Sequence, residues 1–332
     1  MYDQPLVERM GMDQFLQATS TPLAVTADKV DFGGWPNCYR LSNGDIEAII
    51  TADVGPRVIR YAFRGGPNFF SEMRESFGKS GESRWQLRGG HRLWVAPETA
   101  EDESPITYAA DNHAVDIKVT GSTVVATPPL EKEVGIQKQM EMTMSPSGGL
   151  TVTHRITNQG SLDRELSPWV LTMMAQGGVG FFGLPPRGTH PEVLAPTNPL
   201  IIWAFTHLND PRWLFLKKYV GLRQDPRHPS PQKIGSRSNG VWGAYALHGG
   251  LFLKHATASL DGEYPDLGSA FEMFANGDFL ELETLGPLQR LKPGQTATHV
   301  ENWSLHREVK IDRWDDETLD SCIQPVLTSA GL

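Results

Sequence analysis

The sequence predicts an all-β protein, a single large sandwich with short helical additions near its termini. Three observations carry this. Short runs alternate apolar and polar residues, the 33 glycines and 24 prolines among 332 residues fall between those runs, and helical periodicity is confined to the two ends. A chain of this length, 39% hydrophobic, can bury one extensive β core, and no low-complexity or linker-like segment divides it. One domain is therefore expected over 1–332, with a sandwich core at 25–308, an N-terminal extension at 1–24 and a helical tail at 309–332.

Taken in order, residues 5–17 are a modest helix candidate. "GDIEAIITADVG" sets Ile46, Ala48 and Ile50 against Glu47 and Ile49, a strand pattern. "AVDIKVTGSTVVAT" aligns Val115, Ile117 and Val119 before a Thr-Gly-Ser turn and a second strand. "GGLTVTHRITNQGS" repeats the alternation, and "GDFLELETLGPLQRLKPGQTATHVENWSLH" gives strands on either side of a Lys-Pro-Gly-Gln turn. In "RWDDETLDSCIQPVL", Asp315 or Asp316 caps a helix with an acidic first turn, which Pro325 is expected to end.

Composition narrows the function. A formal net charge of −9 argues against a nucleic-acid or anionic-membrane surface. A neutral small molecule, a sugar or an oligosaccharide, is the partner class left, bound by a monomer or homodimer. No run reaches the roughly 18 apolar residues of a membrane span. "MYDQPLVERMGMDQF" lacks a basic segment leading into an apolar one, so a cytoplasmic location is expected, or a periplasmic one if the chain is a trimmed mature form. Cys38 and Cys322 are too few for a disulfide framework.

Several spellings imitate cofactor motifs. "FGKS" at 77–80 has Met73 where a phosphate-binding loop needs glycine. "GVGFFG" at 178–183 satisfies GxGxxG, but Pro185 and Pro186 follow where the phosphate-binding helix would start. HExxH and GxSxG are absent and the ten histidines are dispersed, so neither cofactor nor metal is expected.

Two segments carry candidate chemistry. In "QLRGGHRLWVAPE" (86–98), a glycine pair precedes His91 and Trp94. Glycines let a backbone approach another chain or a ligand closely. In "FLELETL", Glu281 and Glu283 share one strand face, roughly 7 Å apart, while Leu280 and Leu282 take the other. On an open face these glutamates are only solvated. In a cleft, burial and mutual repulsion raise at least one pKa toward neutrality, which suits acid–base work.

"VGPRVIRYAFRGGPNFFSE" followed by "LRGGHRLWVAPE", with "LELETLGP" near the other end, resembles the galactose mutarotase-like superfamily that includes the aldose 1-epimerases. The similarity spans roughly residues 40–305. It is closer still to an uncharacterised branch with segments like "THLNDPRW", "YPDLGS" and "ELETLGP". The resemblance implies a β-supersandwich with a sugar cleft, and ring opening of an aldose by a base and an acid. It puts Glu283 at the base position, with Glu281 beside it.

The family's acid histidine has no counterpart, because Trp169 to Met174 stand in its place. His91, matched to the family's Gly-Gly-His segment, is the first substitute acid and Tyr264 the second. Arg57, Arg88 and Asp266 are candidates for sugar hydroxyls, Trp94 and Trp242 for the apolar platform under a sugar ring, and Glu98 for a cleft acid or a loop cap. The clustered Arg57, Arg60, Arg64, Arg88 and Arg92 leave a phosphorylated or acidic sugar open. A non-catalytic carbohydrate-binding domain, and a lyase or glycoside-processing enzyme on the same scaffold, are the alternative functions.

Overall fold

The structure, a computed structural model, describes residues 24–98, 106–197, 199–237, 240–258 and 261–332. The expected helix at 5–17 and the acidic stretch at 100–104 lie outside these residues.

Two antiparallel sheets face each other, one of 11 strands and one of 10. The first runs through Val58–Phe63, His91–Ala96, Arg164–Met174, Leu280–Leu285, Phe271–Ala275 and Gln232–Ser236, with the N-terminal strands beyond Val58–Phe63. The second is centred on Gly250–Thr257, Thr296–His306 and Leu150–Asn158.

The turns follow their chemistry. Thr120 and Thr123 pair across a two-residue turn in which Gly121 adopts φ +56. Gly294, at φ +83, turns the chain between Gln289–Leu291 and Thr296–His306. The prolines after "GVGFFG" exclude a phosphate-binding helix there, but the segment is not the loop its spelling suggested: Val179–Gly183 is a strand paired with Tyr219–Arg223 and Gly240–Leu247.

Burial separates the two sheets. Ile136–Met144 and Leu150–Asn158 alternate buried with half-buried positions, so this half of the second sheet turns one face to the core and one outward, whereas Tyr219–Arg223 and Gly250–Thr257 are buried at almost every position. His91–Ala96 and Leu280–Leu285 are buried at every position. The centre of the first sheet is therefore covered on both faces, while its edge strand Thr26–Phe32 has no buried residue. Leu280 and Leu282 join the inter-sheet core with Met273, Phe271, Phe182 and Phe252, which leaves Glu281 and Glu283 on the outer, loop-covered face.

The C-terminal helix, Asp316–Ser329, is capped by Asp315, whose carboxylate accepts from the Thr318 amide. Pro325 does not end it. The helix continues to Ser329 because Val326 and Leu327, one turn on from Leu319 and Ile323, pack against Phe181, Tyr219, Leu251 and Leu253 of the second sheet. No helix among the described residues is long and apolar enough to cross a membrane.

Candidate functional site

Antiparallel register decides which side chains share a face. Arg92 pairs with Leu171, Leu171 with Glu283, and Glu283 with Glu272. The next outer row runs from Met173 through Glu281 and Phe274 to Lys233, and the one on the other side from Trp94 through Trp169 to Leu285. These rows place two cations and three carboxyl groups on the outer face of five neighbouring strands.

Lys233 is the hub. Its ammonium lies 2.7 Å from Glu272 Oε2 and 3.0 Å from Glu283 Oε2, and it sits over the rings of Trp169 and Trp203 at 4.9 and 4.8 Å. Burial pulls the Lys233 pKa down, but the two glutamates outweigh it and hold the ammonium above its usual range. Trp169 donates its indole N–H to Glu283 Oε2 at 2.7 Å. The other Glu283 oxygen is buried and meets no donor.

Arg92 donates to Glu281 at 3.0 Å and lies over Trp94 at 4.2 Å. Burial raises the Glu281 carboxyl pKa, Arg92 opposes that, and Glu283 adds to it. Trp85 and Tyr108 stand edge-on to Trp94, and the Tyr108 hydroxyl donates to exposed Glu98. Half-buried Tyr264 packs against the Trp94 cluster. A cavity of about 120 Å³ reaches Arg92 and Trp94 from the side of Asp111 and His113.

The outer face thus gathers Glu281, Glu283, Trp94 and Tyr264, with Glu98 at its margin, and Asp266 lies two residues beyond Tyr264 in the left-handed turn of Pro265–Gly268. His91 is not among them. It pairs with Thr172, one residue along from the Leu171 that pairs with Glu283, so its side chain points into the sandwich. The expected hollow with imidazole facing carboxylate does not form. The glycines before it clear room for backbone, not for a sugar: a Cβ on Gly89 (φ +83) would lie 2.1 Å from the Ser71 carbonyl oxygen, and one on Gly90 (φ +67) 2.5 Å from that of Val58.

Between the sheets, His91 belongs to a closed network whose directions can be assigned. A carbonyl only accepts, so His154 Nδ1 donates to the His299 carbonyl at 3.1 Å and leaves Nε2 bare. His91 Nε2 donates to that bare nitrogen at 2.8 Å, and His91 Nδ1 accepts from the Thr172 hydroxyl, itself an acceptor from Lys254 at 3.0 Å. Lys254 also pairs with Glu301 at 2.6 Å, and Thr284 donates to the same Glu301 oxygen. Burial, helped by His154 and Lys254, holds His91 well below the usual histidine range. Donor atoms of His91, His154 and Glu301 lie within 4.8 Å of one another, a spacing that suits a metal, but the imidazoles already bond each other and Lys254 occupies Glu301. This network ties the two sheets together.

Arg57 and Arg88 are also corrected. Both are fully buried: Arg57 binds Asp111 and the Gly89 and Gln86 carbonyls, while Arg88 binds Glu82, Asn112 and the Ser76 and Lys79 carbonyls. They hold the loops over the sheet and have no donor fork facing the row. Trp242 packs on the opposite side of the molecule with Phe181 and Tyr219, in the cluster that seats the C-terminal helix. Arg60 is paired with Glu47 and Arg64 lies at an exposed turn, so the arginines of the first half do not converge on a phosphate.

Sequence reasoning missed Lys233, Glu272, Trp169 and Trp203 as site residues. Trp169 carries a signal, since it stands in the segment that matches the family's acid histidine and alternates with Leu171 and Met173. Lys233, one charge in the short run "QKIGS", carried none.

No protein-family model matches the chain, and no curated protein is similar to it. Among solved structures it is similar to a candidate aldose 1-epimerase from Klebsiella pneumoniae, at 12% identity over 92% of this chain and 87% of that one, with a TM-score of 0.57. It is also similar to a candidate mutarotase from Salmonella typhimurium, at 11% identity over 85% and 97%, with a TM-score of 0.51. A TPR-domain-containing protein from Parabacteroides distasonis aligns at 15% identity and a TM-score of 0.49 over 81% of this chain, which spans about half (47%) of that protein's length. The fold is the galactose mutarotase-like β-sandwich. At these identities the likeness is one of architecture.

Proposed function

We propose that the protein is a carbohydrate-active enzyme of the aldose 1-epimerase type, working on the outer face of the first sheet with Glu283 as the base. One observation supports this most. Glu283 stands where the resemblance puts the base, with one oxygen fixed by Trp169 and Lys233 and the other buried without a donor. A carboxylate oxygen without a donor is the one that can accept a hydrogen bond from a sugar hydroxyl. Half-buried Trp85 and Tyr108, edge-on to buried Trp94, supply apolar surface on which sugar C–H faces pack.

In the reaction, Glu283 takes the anomeric hydroxyl proton while an acid protonates the ring oxygen, and the C1–O5 bond breaks. After the carbonyl carbon turns, both protons return and the ring closes on the other face. Exchange between α and β anomers, followed by NMR over a panel of neutral, phosphorylated and uronic sugars, tests this. Glu283→Gln should abolish acceleration and leave the fold intact. Wild-type protein inert to every sugar sinks the reading, and binding without exchange turns it into a carbohydrate-binding domain.

A further inference from the structure

The cavity of about 120 Å³ that reaches Arg92 and Trp94 adjoins a cleft of about 660 Å³ lined by Trp85 and Tyr108, and Ala109, Ala110, His113 and Glu131 border both. The smaller hollow falls below the roughly 300–1,000 Å³ of a small-molecule pocket, and the larger lies within that range. A ligand that reaches Arg92 must therefore keep most of its bulk over Trp85 and Tyr108.

Aromatic rings lead to the cleft from Glu283. Trp169, whose indole N–H holds that carboxylate, has its ring centroid 5.5 Å from that of Trp94. Trp94 is 5.0 Å from Trp85 and 4.8 Å from Tyr108, and those two are 6.0 Å apart. Trp94 is buried while Trp85 and Tyr108 are half-buried, so the run of rings surfaces in the cleft.

The polar atoms of the lining define the chemistry of the ligand. Among the described residues, Arg92 Nε and Trp85 Nε1 are buried donors without a hydrogen-bond partner, and Asp111 Oδ1 and Glu131 Oε2 are buried acceptors without one. Their charges are already met, because Arg92 pairs with Glu281, Asp111 with Arg57 and Glu131 with Lys138. What these side chains lack is hydrogen bonding of both kinds, and a hydroxyl both donates and accepts. A carboxylate or phosphate only accepts, and would bring its charge against Asp111 and Glu131. In the cleft, Arg84 and Lys132 balance Glu131 and Glu133, so neither sign of charge draws an ion there.

We infer that this groove takes a neutral oligosaccharide, its terminal ring against Arg92 and Trp94 and the following units on Trp85 and Tyr108. Sugar C–H faces then lie on the exposed parts of the rings, and the hydroxyls meet the unpaired donors and acceptors. That the terminal ring is the reducing one, presented to Glu283, rests on the sugar-site reading above; the binding of a chain of sugars does not.

Isothermal titration of the whole protein with gluco-, xylo- and chito-oligosaccharides of increasing length tests the groove without any turnover. In one of these series the trisaccharide should bind about tenfold more tightly than the monosaccharide, and Trp85→Ala should abolish that gain. Because Trp85 is half-buried, two further variants guard against a folding defect. Trp85→Phe keeps a flat ring and loses the N–H, so the gain should shrink but persist. Ala110→Leu, at an exposed position bordering both hollows, puts bulk into the groove and should abolish the gain at wild-type thermal stability. No gain with length in any series, or a gain that either Trp85→Ala or Ala110→Leu leaves intact, overturns the inference. Anomer exchange separates it from the function proposed above. Exchange of monosaccharides with no gain in affinity with length sinks the groove and leaves that function standing, whereas a gain with length and no exchange sinks the epimerase reading and leaves the groove.

Discussion

Trp169 and Glu283 come from adjacent strands and meet through a 2.7 Å indole-to-carboxylate hydrogen bond on the outer face of the first sheet. The bond fixes which Glu283 oxygen is occupied and which is free. Trp169→Phe keeps much of the buried ring and removes the donor. Because the acceptor is buried, about 1–3 kcal/mol of stability should be lost, read by denaturant unfolding. Unchanged stability would show that Lys233 alone holds the carboxylate.

Lys233 offsets more than one charge. Replacing it by Met leaves Glu272 and Glu283 facing each other in a buried site, so a loss of about 3–5 kcal/mol is expected at neutral pH. The sign of its pH dependence follows from Glu272, whose folded pKa is raised by burial and neighbouring carboxyl groups. A raised acid binds more protons folded than unfolded, so its penalty is present above the folded pKa and fades as pH falls toward the unfolded value. The variant should recover toward wild type as pH falls from neutral toward about 4.3, where free glutamate titrates. A deficit independent of pH would show that the ammonium acts only through packing against Trp169 and Trp203.

The contrast between these residues and His91 shows what the sequence could carry. Alternation in "FLELETL" was enough to separate Glu281 and Glu283 from Leu280 and Leu282, because strand period is a local property. Which face of a neighbouring strand His91 joins depends on register between segments far apart, and one residue reverses the answer. Arg57 and Arg88 failed as site residues for a related reason: their partners are loop carbonyls and Asp111 or Glu82, and no periodicity announces such contacts. Pro325 was read as a stop because it lacks an N–H, while the packing of Val326 and Leu327, invisible in a local pattern, carries the helix past it.

The glycine pair makes a matched test. Gly65 (φ +73) has nothing within 4 Å of an added Cβ, so Gly65→Ala should cost about 1–2 kcal/mol, the left-handed penalty alone. Gly89 has a similar φ of +83 but the Ser71 carbonyl 2.1 Å away. Gly89→Ala must displace the strand carrying His91 and should cost clearly more, up to failure to fold. Equal thermal shifts in the two variants would remove the close-approach argument for "RGGH".

The inter-sheet histidines set the acid limit of the fold. Burial pulls His154 down to about 3 and His299 to about 4, against the attraction of Glu301, so both are neutral in the folded protein and charged in the unfolded chain once pH drops below about 6.5. A base depressed on folding contributes stability that is complete above the unfolded pKa and lost as pH falls toward the folded one. Each histidine should therefore remove about 1.4 kcal/mol per pH unit below pH 6.5, opposite in sign to the Glu272 effect. The two separate by variant: Glu272→Gln keeps the histidine slope and loses the opposing one, so its stability should fall more steeply from pH 6.5 to 4.5 than that of the wild type. His299→Gln, which keeps a donor toward Thr284, should flatten the fall by roughly one proton's worth. Identical slopes in wild type and His299→Gln would mean that His299 is charged in the folded protein, donating to Thr284 as an imidazolium.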